Sequence, residues 1–290
     1  MARTGKGYST RRRRWDAAQE FERTWWEKNW MTIAKNETGS IEKYWNYHRA
    51  ILDRHAEIRP GTAALEIGGG PTPLISYIGD CRKFALDPLI GYYSQHFQTG
   101  KGIQRVRGVG ESLPFRDESI DIIILTNVID HVMSPENFLC ECQRVLAEGG
   151  IMYLTVNCHD SAGLLYMNAR EKRGQGDIAH PFSFSDNEIS GIIEKSSFRI
   201  TFKKEGIGDI GDYVMKKIAD SIHKDENSSH GSRAQKGDVM ERIRRRYGRD
   251  GISGLADSAV LTILKPVTKK KLQEHRNIII VASKNSSKSK

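Results

Sequence analysis

The chain predicts an α/β architecture, a largely parallel sheet covered by helices, and three observations carry that expectation. Short apolar runs recur through its middle; the stretches between them are long enough for crossover helices; and several of those stretches carry helix start and stop signals. The length of 290 residues allows one large domain or two small ones. The apolar fraction of 38%, with 27 glycines, is that of an ordinary globular chain rather than a disordered or collagenous one. The longest apolar runs, Ile122 to Leu125 and Ile278 to Ala282, fall far short of the ~18 residues of a membrane helix, so no transmembrane segment is expected.

Taken in order, residues 1–14 carry six Lys/Arg and no acid and read as a basic disordered tail. Residues 15–55 hold all five tryptophans (Trp15, Trp25, Trp26, Trp30, Trp45). Phe21 and Trp25, then Tyr44, Tyr47 and Ile51, recur at helical spacing, which predicts two helices on a common apolar face. The strand-like runs follow: Ala63 to Ile67, Phe84 to Leu86, Ile103 to Val106, Ile120 to Leu125 and Ile151 to Val156. Ser134-Pro135 supplies an N-cap with proline at the first helical position, and Gly149-Gly150 after Leu146 reads as a stop. Ser185 to Glu188 has capping-box spacing and opens a helix to about Ser196, ahead of a sixth strand, Arg199 to Lys203. A last run, Asn277 to Ala282, lies beyond a polar stretch, Lys224 to Gly237, and an expected basic helix, Asp238 to Tyr247. The chain thus divides into a core at 56–206 plus 277–283, an insertion at 207–276 that is a candidate acceptor-binding cap, and a disordered tail at 284–290.

The chemistry concentrates where strands end. Glu66-Ile67-Gly68-Gly69-Gly70 places glycines directly after the first strand, where a tight turn lets the backbone approach a ligand in the sheet crevice. A dinucleotide fingerprint starting at Gly68 would put Pro73 where close packing asks for Gly or Ala. Glu66 would also repel a pyrophosphate, so a cationic ligand without phosphate fits better. Twenty-one residues on, Asp87 ends the second strand in Leu86-Asp87-Pro88, where a carboxylate can accept both hydroxyls of a ribose.

At these residues the sequence resembles the class I S-adenosylmethionine-dependent methyltransferases. The matches run in order through Glu66 to Gly70, Asp87, Glu111-Ser112-Leu113-Pro114-Phe115, Ser119 to Ile123, Asn127-Val128-Ile129-Asp130-His131-Val132 and Glu141 to Gly150, with looser similarity through His180-Pro181-Phe182. The resemblance implies a Rossmann-like, doubly wound sheet of about seven strands, mostly parallel with an antiparallel last strand and helices on both faces. It implies S-adenosyl-L-methionine as cofactor, with Glu66 and Gly68, Gly69 and Gly70 at the methionine end, Asp87 and Pro88 at the ribose, Gly110 and Glu111 bordering the adenine, and Asn127 beneath the sulfonium. One departure stands out: Val109 occupies a position where the family often has an acid for the adenine amino group. His131 is the candidate catalytic residue, ahead of His159 and His180; Asp130 and Asp160 read as loop acids. The aromatic segment is a candidate lid or, alternatively, packing for the sheet helices, and Tyr166 and Met167 are candidates for the acceptor side.

Function follows as methyl transfer to a small-molecule or lipid-like acceptor. The alternatives are transfer to RNA through basic residues, and a catalytically inactive cofactor-binding scaffold. The net charge of +9 bears on that choice through its location. Residues 1–14, 233–249 and 265–290 hold the basic surplus and leave the rest of the chain net acidic, so a nucleic-acid or anionic-surface partner belongs to those appendages. Four cysteines, with Cys140 and Cys142 on different faces of one expected helix, give neither a disulfide framework nor a metal pair, and no metal ligand set is read from the sequence. With no apolar stretch after the N-terminal basic residues, a cytoplasmic location is expected.

Overall fold

The computed structural model describes residues 5–36, 38–97, 100, 102–214, 216–217 and 275–285. Seven strands form one sheet: β1 (Ala63–Ile67), β2 (Arg82–Asp87), β3 (Ile103–Arg107), β4 (Ile120–Thr126), β5 (Leu146–His159), β6 (Phe198–Glu205) and β7 (His275–Lys284). Their order is β3-β2-β1-β4-β5-β7-β6. Strands β1 to β5 pair in parallel, and β7 runs antiparallel to both of its neighbours, β5 and β6. The expected doubly wound sheet with an antiparallel last strand is therefore what forms, and that strand lies inside the sheet.

Apolar runs become parallel strands because both faces are covered. β1 is buried at all five positions. On one face Leu65, Ile123, Leu125 and Leu154 pack under α4 (Pro135–Val145) and α6 (Asp186–Lys195), which contribute Phe138, Leu139, Ile189 and Ile193. On the other face Ala64, Ile122, Ile124 and Tyr153 meet Tyr44, Trp45 and Leu52 of α2 (Thr38–Leu52) and Tyr93 of α3 (Ile90–His96). The Tyr153 hydroxyl donates a 2.7 Å hydrogen bond to His48 Nδ1 of α2, and burial, which lowers the His48 pKa to about 3, keeps that ring neutral. Two of the three boundary signals hold, while the expected stop at Gly149-Gly150 falls inside β5 because α4 already ends at Val145; Ser134 accepts from Asn137 N–H, with Pro135 at the first helical position. Ser185 and Glu188 make the reciprocal capping box.

Several boundaries differ from the sequence expectation. Helix α1 spans Gly5–Asn36, so residues 5–14 are its first turns rather than a disordered tail. Arg14 Nη2 donates to Glu171 Oε2 of α5 (Ser161–Lys172) at 2.8 Å, which ties those turns to the body. Phe21 is 40% exposed; the buried face of α1 carries Trp15, Ala18 and Trp26 instead. Lys284, assigned to the tail, ends β7 with its ammonium 2.8 Å from Glu118. The polar stretch 224–237, the expected helix 238–247 and most of the insertion 207–276 lie outside the described residues.

One arginine fixes the loop that approaches the sheet between β3 and β4. Arg144 donates to the carbonyls of Leu113 and Phe115, both at 2.9 Å, while holding Glu141 and Asp117 at 2.7 Å. Glu141 in turn accepts from Leu113 N–H at 2.8 Å. Replacing Arg144 with Ala should lower unfolding stability by about 1–2 kcal/mol through the charge-assisted bonds lost. Urea denaturation checks this; an unchanged midpoint would show that the loop is held elsewhere.

Candidate functional site

β1 and β4 lie side by side although β2 and β3 separate them in sequence, so the loops after β1 and β4 diverge and open a crevice at the carboxyl edge of the sheet. Glu66, fully buried on β1, governs the first loop. Its Oε2 accepts from Ile75 N–H at 2.6 Å; its Oε1 accepts from Leu74 N–H at 3.1 Å and from the Thr126 hydroxyl of β4 at 2.9 Å. Burial pushes the Glu66 carboxyl up to about 7 against those three hydrogen bonds. Gly68 and Gly70 take φ of +69° and +62°, and a Cβ at Gly68 would overlap the Val128 side chain, so glycine is required there both for conformation and for space.

Asp87 ends β2 at 6% exposure and accepts from Leu89 N–H at 2.7 Å. Burial raises its pKa to about 7, with the nearby Glu22 carboxylate adding to the shift. A carboxyl raised in the folded state holds its proton where the unfolded chain has lost it, so its stabilising contribution is present below the unfolded value and is lost as pH climbs to about 7. Asn127, just past β4, sits at φ +53°, held by its N–H to Thr155 O at 3.0 Å. Its Oδ1 is buried without a protein partner. Gly110 packs so tightly on Phe138 that a Cβ would overlap the ring, and Glu111 Oε1 accepts from Met133 and Ser134 N–H at 2.6 and 3.1 Å.

These residues share one cavity, lined by Gly68, Gly70, Asp87, Pro88, Val109, Gly110, Glu111, Asn127 and His131 and measuring about 80 Å³. Eight of the ten predicted site residues therefore meet; Glu66 and Gly69 do not line the cavity, and a Cβ at Gly69 would point at Pro73 and the Glu66 carboxyl instead. Glu66 acts through the loop it holds. Val109 lines the cavity too, and its carbonyl accepts from Ser112 N–H at 3.2 Å.

One wall comes from α1, within the aromatic segment read as a candidate lid, and its polar members Gln19 and Glu22 were not singled out in the sequence. Trp15, Gln19 and Glu22 lie over the cavity, and Trp26 stands 3.6 Å from where a Gly70 Cβ would be. Their spacing of four, three and four residues is a helical stripe, legible once polar residues are counted with the aromatic ones. A second hollow of about 380 Å³, walled by Arg12 and Arg107, shares Trp15, Gln19, Pro88, Leu89 and Val109 with the first. Trp25 is half-buried beside Trp26, and the Trp30 side chain lies outside the described part.

The other candidates separate. His131 Nε2 is 3.9 Å from buried Asp130 Oδ1, and its ring stands edge-on to His180 at 4.7 Å. His180 Nδ1 donates to Asp177 Oδ2 at 2.9 Å. Burial opposes charge on His180, but the bond to Asp177 and the fields of Asp130 and Asp177 outweigh it and raise its pKa to about 9. His159 is lowered, chiefly by burial, and pairs edge-on with His275 at 6.1 Å. Asp160 is the N-cap of α5, accepting from Gly163 N–H at 2.7 Å, which is a structural role. Tyr166 is buried and Met167 half-buried on α5; neither lines the cavity.

Three comparisons bear on these residues. Residues 65–154 match the family described as a methyltransferase domain. An uncharacterised methyltransferase of Mycobacterium tuberculosis is 30% identical over 130 residues, which cover 43% of this chain and 49% of that protein. The chain thus spans about half the length of the curated relatives it matches. Among solved structures, the YcgJ protein of Bacillus subtilis superposes with a TM-score of 0.50 at 16% identity, covering 83% of this chain and all of that one. Phosphoethanolamine N-methyltransferase 2 of Haemonchus contortus, solved with phosphomonomethylethanolamine and S-adenosylhomocysteine, gives 0.51 at 15% identity over 83% of this chain and 52% of that one. The family match falls on β1 to β5, and the cavity lies past the carboxyl ends of the first four of these strands, so the part of the chain that is similar to methyltransferase domains is the part that builds the site.

Proposed function

We propose that the protein transfers the methyl group of S-adenosylmethionine to a small-molecule or lipid-like acceptor. The observation that carries the cofactor reading is the charge of the cavity wall: Glu22, Asp87 and Glu111 line it, with no Lys or Arg beside them. Such a wall favours a ligand bearing a sulfonium and an ammonium and disfavours a pyrophosphate. The unpartnered Asn127 Oδ1 supplies an acceptor for a ligand N–H. The Asp87 carboxylate, bonded to Leu89 N–H and near the Gly70 backbone, lines the cavity and supports a ribose-diol contact.

When bound, the cofactor supplies an activated methyl on sulfur; the chain's own residues align and shield. Asp87 and the Gly68–Gly70 loop would fix the nucleoside and methionine ends, so that the acceptor meets the methyl in line. Trp15, Gln19 and Glu22 of α1 would exclude water above it. At about 80 Å³ the cavity is smaller than the ~300–1,000 Å³ of ordinary ligand sites, so the cofactor enters only when α1 lifts. With α1 raised, the cavity and the neighbouring hollow would merge across Trp15 and Gln19. A cavity partly covered by a helix suits a small acceptor better than a polymer. The Haemonchus enzyme, whose structure holds a small phospho-amine, supports that class.

Asp87→Ala should weaken S-adenosylhomocysteine binding by about a hundredfold, as expected for a ligand that loses a charged hydrogen-bond partner worth ~2–3 kcal/mol. Calorimetry measures it, and unaltered affinity would sink the ribose assignment. Because Asp87 titrates near 7 and binds as the carboxylate, wild-type affinity should rise several-fold as pH goes from about 6 to 8, and a flat profile would contradict that role. Trp15→Ala should speed cofactor association by removing part of the cover while leaving the fold intact. Stopped-flow tryptophan fluorescence reads this, and an association rate equal to wild type would remove α1 from the entry path.

A further inference from the structure

Beside the cavity, one donor atom from each of Asp130, His131 and His180 lies within 4.8 Å of the other two. Sequence spacing does not reveal the group, because 49 positions separate His131 from His180. The fold joins them: Phe182 N–H donates to the Asp130 carbonyl at 3.2 Å and pins one loop on the other. Asp130 is only 4% exposed, and its Oδ1, the atom 3.9 Å from His131 Nε2, has no hydrogen-bond partner. A buried carboxylate oxygen left unpaired carries a free-energy penalty that a bound cation would remove.

We propose that Asp130, His131 and His180 form a divalent-cation site on the acceptor side of the cavity. Two imidazoles and a carboxylate suit a first-row transition cation such as Mn²⁺, Co²⁺ or Zn²⁺. With metal–ligand bonds of about 2.1 Å, donors up to about 4.2 Å apart can share one ion, so the group needs only a small inward shift. His180 is oriented for the role. Its Nδ1 donates to Asp177 Oδ2 at 2.9 Å, and Asp177 Oδ1 is itself fixed by Ala179 N–H at 2.9 Å. That leaves Nε2, whose proton the incoming cation displaces, as the ligating nitrogen in the carboxylate–histidine–metal arrangement that sets ring orientation at metal centres. His131, which lines the cavity, brings the ion to its edge.

Three protein ligands leave open positions for an oxygen of the acceptor. This part rests on the methyl-transfer reading and narrows it to acceptors with a hydroxyl. The bound hydroxyl loses its proton to solvent, its oxygen attacks the methyl carbon, the O–C bond forms as the S–C bond breaks, and the sulfonium leaves as a neutral thioether. No oxidant or reductant is needed. A second group, Asp209, Asp212 and His275, also gathers within ligand distance. There His275 pairs with Asp212 at 3.3 Å and Asp209 Oδ2 accepts from Asn157 Nδ2 at 2.9 Å, so it serves as the control.

The test is titration of the full chain, stripped with a chelator and desalted, with Co²⁺ followed by visible absorption. One tight site per chain is expected, weakened about tenfold or more in His180→Gln and in Asp130→Asn and unchanged in His275→Gln. S-adenosylhomocysteine binding to His180→Gln, expected to match wild type, certifies its fold independently of the metal. Equal Co²⁺ affinity in wild type and His180→Gln, or loss confined to His275→Gln, would overturn the proposal. If Co²⁺ binding follows the expected pattern and S-adenosylhomocysteine does not bind wild type, the cation site stands and the methyl-transfer reading falls.

Discussion

The site depends on one buried carboxylate. Glu66 has no ion-pair partner among the described residues and instead holds three donors: two successive backbone N–H groups past the glycine loop and a hydroxyl from the neighbouring strand. That triple bond set ties β1, its following turn and β4 into one rigid edge. Asn127, whose backbone sits in the left-handed region one residue after Thr126, inherits its position from the same edge. Removing the carboxylate would leave two buried N–H groups unsatisfied and release the loop that approaches the ligand. Glu66 thus orders the ligand site without lining it.

Much of the fold was legible because parallel strands buried on both faces must be continuously apolar, and only a few segments of this chain are. Caps were equally legible: Ser134 and Ser185 act over three residues, a range that sequence spacing encodes directly. Helix α1 was harder. Its cavity-facing side mixes buried Trp15 and Trp26 with half-buried Gln19 and Glu22, so apolar periodicity alone points to Phe21, which is 40% exposed. A helix that covers a polar cavity is polar where it is buried, and hydropathy alone assigns such a face to water. β7 comes last in the chain, and nothing local in its sequence encodes its place between β5 and β6.

The candidate site divides in the same way. Gly68, Gly70, Asp87 and Asn127 follow their strands within a few residues, so the motif order carries their positions. The grouping of Asp130 with His180 is set by a loop-to-loop hydrogen bond at Phe182, which no local pattern reports. The basic segments at 233–249 and 265–274 lie outside the described residues, and of the first fourteen residues Arg14 is bonded to the body through Glu171. No helix among the described residues is long and apolar enough to cross a membrane.

The position of β7 bears on how the chain folds as it is made. Among the described residues β6 pairs only with β7, and β7 joins β5 across a separation of 120 positions at Asn157 and Asn277. Until residues 275–284 have been synthesised, β5 is an open edge and β6 has no sheet to join. That interval leaves apolar strand backbone able to pair with another chain, a hazard of late, non-local pairing. The intervening segment itself adds little to it, since loop-closure entropy grows only with the logarithm of length. The order in which strands leave the ribosome therefore sets how long that edge stays open.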